Sequence, residues 1–82
     1  MAIAGAVVLP VQREMEDQIV QKLSSLKEVK IEGIGEKGIA VVLETASMEE
    51  IRHISEQISH WEEVVGFHVV YVNWEELGKY ED

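Results

Sequence analysis

Apolar positions recur along the chain with two different periods, and each change of period marks an element. Residues 2–9 are all apolar or Gly and stop at Pro10, which predicts a buried strand closed by a residue that cannot donate to a ladder. Over 12–26, Met15, Ile19, Leu23 and Leu26 recur at spacings of four, four and three, one stripe of a helix. Its acidic residues Glu14, Glu16 and Asp17 come early and Lys22 and Lys27 late, as the helix dipole favours. Val29-Lys30-Ile31-Glu32 then alternates with period two, a strand with one buried face. A glycine-rich turn over 33–38 leads into another strand over 39–44. Ser47, with Glu50 three residues later, predicts the capped start of a second helix whose stripe is Met48, Ile51, Ile54, Ile58 and Trp61. Gly66 interrupts the chain before a last strand over 67–72.

The order strand, helix, strand, strand, helix, strand predicts an α+β, ferredoxin-like split βαβ domain. Right-handed crossovers place both helices on one face of a four-stranded antiparallel sheet of order 4-1-3-2. The expected domain occupies 1–73, and 74–82 form an acidic C-terminal tail.

Two helices cover one face only, so the other face is the place to look for a function. Glu44 should point to water, which leaves Ala40 and Val42 on the open side with it and sends Ile39, Val41 and Leu43 inward. His68 plays the same part in the last strand, leaving Val70 and Val72 open and turning Phe67, Val69 and Tyr71 inward. The first strand has no polar residue on either side. Side-chain volume turns Ile3, Val7 and Leu9 inward and Ala4, Ala6 and Val8 outward, although nothing in the run itself distinguishes this register from its opposite. In either register the open face is apolar. A contiguous apolar face marks a partner site, and a second sheet of the same kind or the folded-back tail are the alternative covers.

Composition narrows the partner. The chain has 82 residues, no Cys, and a net charge of -9 from 16 Asp and Glu against 7 Lys and Arg. That is one domain without a disulfide frame, a thiolate nucleophile or a Cys-type metal site, in keeping with a reducing cytoplasm. The charge opposes nucleic acid and anionic membrane surfaces and favours a basic peptide or protein. Residues 2–9 have no basic flank and are too short for an export signal, and no run approaches the roughly 20 apolar residues of a membrane span. Glu44, Glu75 and Glu76 are expected at one rim of the open face, where they would serve either as solubilising charges or as partners for arginine, which a carboxylate binds bidentately.

Other motifs carry less. Gly33, Gly35 and Gly38 spell the dinucleotide fingerprint but lead into a strand, where no helix N-terminus meets a pyrophosphate. Ile39 and Val41 stand where an RNA-binding sheet of this plan would carry stacking aromatics. His53 and His60 lie two helical turns apart, about 10 Å, too far to share a metal. No serine has a neighbouring base and no phosphate loop follows the first strand, so neither an enzyme nor a cofactor is expected.

Several of these segments together resemble the NapD family. They are the Val7-Val8 end of the first strand, the run Leu23, Leu26, Val29 and Ile31, the pattern G-x-x-V-V-x-E over 38–44, and Val69-Val70-Tyr71 before an acidic tail. The resemblance implies a cytoplasmic maturation chaperone with a ferredoxin-like fold. Such a chaperone binds the twin-arginine signal peptide of a periplasmic nitrate reductase and delays its export until the molybdenum cofactor is inserted. On that reading the peptide would lie on the open face over Ala4, Ala6, Val8, Ala40, Val42, His68, Val70 and Val72, with its arginines near Glu44, Glu75 and Glu76, and the chain would be a monomer or weak homodimer. The alternative from another class is a small-ligand regulatory domain acting as a homodimer.

Overall fold

A computed structural model describes residues 1–74, and its elements follow the predicted order. They are β1 (Ala2–Pro10), a single 3-10 turn (Arg13–Met15), α1 (Glu16–Ser24), β2 (Val29–Gly35), β3 (Gly38–Thr45), α2 (Met48–Ser59) and β4 (Val64–Trp74). The strands form one antiparallel sheet of order β2-β3-β1-β4, the ferredoxin-like order that the sequence predicts.

Helix α1 is shorter than its apolar stripe. Neither Gln12 nor Met15 caps with its side chain, so the first turn tightens into 3-10 geometry, with the Met15 N–H donating to the Gln12 carbonyl at 2.9 Å. Helix α2 starts where predicted. Ser47 Oγ accepts from the Glu50 N–H at 3.3 Å, and the Glu50 carboxylate reaches back to the Ala46 N–H at 3.4 Å. Ile51, Ile54 and Ile58 of α2 and Ile19 and Leu23 of α1 are buried against Ile39, Val41 and Leu43 of β3.

The first strand reverses the expected register. Ala4, Ala6 and Val8 are core residues at 0%, 2% and 0% exposure, and Ile3, Val7 and Leu9 lie on the other face, half-buried. Directly opposed residues of an antiparallel pair share a face, and Ala4, Ala6 and Val8 stand opposite Leu43, Val41 and Ile39. The large side chains of β3 and of the helices already fill that layer, so the central strand fits under it only with small residues. The volume argument thus pointed the wrong way, because it ignored what the neighbours contribute.

A second correction concerns β4. Gly5 pairs with Tyr71 and Ala6 with Val69, which leaves Val70 unpaired in a bulge. The extra residue shifts the alternation by one, so Val72 pairs with core Ala4 and joins Val69, Met48, Ile51, Arg52 and Ser55 in a cleft beside α2 rather than lying on the open face. Tyr71, expected inward, is sent outward by the same shift. Gly66 does not break the chain but lies within β4 opposite Leu9, and the strand continues to Trp74.

Candidate functional site

The strand registers write out the open face row by row, since opposed residues share a side. Both helices pack on the other side. At one end, Glu44 of β3, Ile3 of β1 and Asn73 of β4 stand in line. The next row runs Lys30, Val42, Gly5 and Tyr71 from β2 to β4. Below it come Gly33, Ala40, Val7 and His68, and then Leu9 beside Gly66. Ile3, Val7, Leu9, Ala40 and Val42 give this face an apolar centre, with polar groups at its margins.

Tyr71 is the largest side chain placed there by the register, and its position depends on Gly5. A Cβ on Gly5 would come within 2.8 Å of ring atoms Cδ2 and Cζ and closer still to Cε2, so the ring occupies the volume that a side chain at this position would take. The ring therefore leans from β4 across the central strand. It buries Gly5 while the tyrosine stays 49% exposed. Leu9 does the same at the other end, where Cβ atoms on Gly38 and Gly66 would meet it at 3.1 and 3.0 Å.

The charge at the Glu44 end is denser than the sequence foretold. The backbone N–H of Glu44 donates to the Glu28 carbonyl at 2.9 Å, and the charged residues Lys27, Glu28, Glu44 and Glu50 line a hollow beside it together with Met1, Thr45 and Ala46. Three carboxylates share this hollow with the Lys27 ammonium and with Met1, so the corner is acidic but partly balanced.

Of the predicted site residues, the structure brings Ala40, Val42, Glu44 and His68 together on the open face and leaves Val70 exposed at the bulge. Ala4, Ala6 and Val8 lie in the core, and Val72 lies on the helix side. Glu75 and Glu76 fall outside the described residues. Ile3, Gly5, Val7, Leu9, Tyr71 and Asn73 were not foreseen as part of this face. One sequence signal was available for Gly5, since a lone glycine inside an apolar strand often marks the close approach of another group.

Elsewhere the chemistry is plain. Gly35 pairs with Gly38 across the β2–β3 hairpin, so the glycine motif is a turn. A cleft of about 600 Å³ beside α2, lined by Leu26, Glu28, Ser47, Glu49, Glu50, His53, Ile54 and Gln57, holds no nucleophile hydrogen-bonded to a base. Among the described residues no group of three or more His, Asp or Glu is arranged to hold a metal, and no helix is long and apolar enough to cross a membrane.

The sequence profile of the family described as NapD protein matches residues 1–76. Two solved structures are similar. One is the crystal structure of hypothetical protein PHS023 from Pyrococcus horikoshii, with a TM-score of 0.80 and 21% identity over 100% of both chains. The other is the solution structure of the E. coli Tat proofreading chaperone protein NapD, with a TM-score of 0.77 and 21% identity over 98% of this chain and 85% of that one. At that identity they show a shared fold. A comparison with curated proteins finds no match.

Proposed function

Because the chain belongs to the NapD family, we propose that it is a Tat proofreading chaperone acting in the cytoplasm, as a monomer or weak homodimer. In this reading it binds the twin-arginine signal peptide of a periplasmic nitrate reductase catalytic subunit and delays export until the molybdenum cofactor is in place. The E. coli neighbour, named a Tat proofreading chaperone, supports the assignment.

The observation that carries the reading is the open face itself: an apolar floor of Ile3, Val7, Ala40 and Val42 that ends at the carboxylate of Glu44, with the acidic hollow beside it. A twin-arginine signal has the complementary form, two guanidinium groups followed by an apolar segment. The apolar segment lies as a helix on the floor, and its arginines are held at the acidic end. Chaperoning of this kind needs no reaction at the bound peptide. Affinity alone withholds the signal from the export machinery.

Calorimetric titration of the purified chain with a synthetic twin-arginine signal peptide tests the proposal. The expected result is saturable binding that a scrambled peptide of the same composition does not reproduce. No heat and no displacement with the native peptide would overturn it.

A further inference from the structure

Resting on the signal-peptide reading, we propose that Tyr71, held across the central strand by Gly5, is the platform on which one of the two arginines stacks, and that it makes the site prefer arginine over lysine. The glycine gives the ring its place. No other residue type at position 5 leaves room for the ring where it lies, since any Cβ would fall within 2.8 Å of three ring atoms. Gly5 is thus a positioning residue that acts through Tyr71. The ring covers Gly5 on one side and remains 49% exposed, so the free side is presented to a ligand on the open face.

The surroundings favour a planar cation there. Ile3, Val7 and Val42 flank the ring in its own and the adjoining rows, which lowers local hydration, and Asn73 adds a neutral hydrogen-bonding edge. Glu44 stands one row away and two strands over, about 12 Å by residue and strand spacing. Consecutive Cα atoms are about 3.8 Å apart, and two long side chains diverging from them span that separation. One guanidinium pairs with the Glu44 carboxylate while its neighbour stacks on Tyr71, so the two arginines have different partners. Guanidinium is planar, weakly hydrated and stacks on aromatic faces, whereas ammonium is a compact and strongly hydrated point charge. The pair Glu44 and Tyr71 therefore reads arginine as a shape as well as a charge.

The test titrates the wild-type chain and three variants with two signal peptides that differ only in Arg-Arg against Lys-Lys. Wild type is expected to bind the Arg-Arg peptide about tenfold more tightly. Tyr71→Leu, which keeps apolar area and removes the ring, should weaken Arg-Arg binding about tenfold and Lys-Lys binding much less, so that the preference is lost, while Tyr71→Phe keeps it. Gly5→Ala leaves every charge and aromatic group in place yet displaces the ring, so it should also erode the preference, with circular dichroism reporting an intact fold. If Tyr71→Leu weakens both peptides equally, or neither, the ring supplies only apolar area or nothing, and the inference is overturned while the chaperone reading stands. If wild type binds neither peptide, the chaperone reading falls and takes this inference with it.

Discussion

Lys22 near the end of α1 and Glu63 just before β4 close an ion pair across the molecule, with Nζ 2.9 Å from Oε1 and 3.1 Å from Oε2. The same ammonium lies 5.1 Å from the centroid of the Trp61 ring. Its hydrogen bond, followed by one from the glutamate's own backbone, holds the Glu63 carboxyl below the usual carboxylate range. A carboxyl depressed in the folded state stabilises the fold above its unfolded pKa, and that contribution is lost as pH falls through the folded value. Glu63→Gln should therefore lower the melting temperature slightly at pH 7, and the difference should shrink below about pH 4 and then vanish. Thermal melts across pH check this, and a difference that persists at pH 2 would assign the effect to packing instead.

The register of β1 makes an asymmetric prediction about adjacent residues. Ala6 is 2% exposed beneath the helices, so Ala6→Leu overfills a packed layer and should cost about 1–3 kcal/mol. Val7→Leu enlarges a side chain on the open face and should stay within about 0.5 kcal/mol. Urea denaturation of the two variants distinguishes the registers, and the reverse ranking would restore the one that side-chain volume predicted.

Gly38 and Gly35 close the same hairpin yet should respond differently. Gly38 has φ +132°, and its added Cβ would meet the Val8 carbonyl oxygen at 2.7 Å, whereas nothing lies within 4 Å of one on Gly35. Gly38→Ala is expected to cost about 1–3 kcal/mol and Gly35→Ala less than about 1 kcal/mol, as read by denaturant midpoints.

If the open face holds the signal peptide, Val42→Asp should abolish binding while the chain stays folded, because the added carboxylate stands on the solvent side of β3. Raising salt from low to physiological ionic strength should weaken the wild-type complex without removing it, since screening over about 8 Å affects the arginine contacts and not the apolar ones. Binding that is unaffected by Val42→Asp would move the site elsewhere.

Element order and sheet order were legible because each helix carries a complete apolar stripe and because Glu44 marks the solvent side of β3. The face of β1 was not legible. Its residues carry no polar marker, and the choice between Ala6 and Val7 is made by Val41 and the helices, which are distant in sequence. In β4, hydropathy gave no sign of the bulge at Val70, since inserting one valine among valines changes no composition yet exchanges the sides of Tyr71 and Val72. The part of the candidate face on β3 was therefore readable, as was His68 on β4, while β1 and the rest of β4 required the pairing.

The rows of the open face contain Gly33, Gly5, Ala40 and Gly66, so its floor is low between the half-buried aliphatic side chains, and Tyr71 and Leu9 lean across the glycines. A surface with so few deep pockets has no lock into which one aliphatic sequence fits better than another. Ligands that share their charged residues and differ only in the order of their leucines, valines and alanines meet nearly the same landscape on it. Discrimination then rests with the few features that do stand out, and a drifting hydrophobic sequence in the ligand would leave recognition intact.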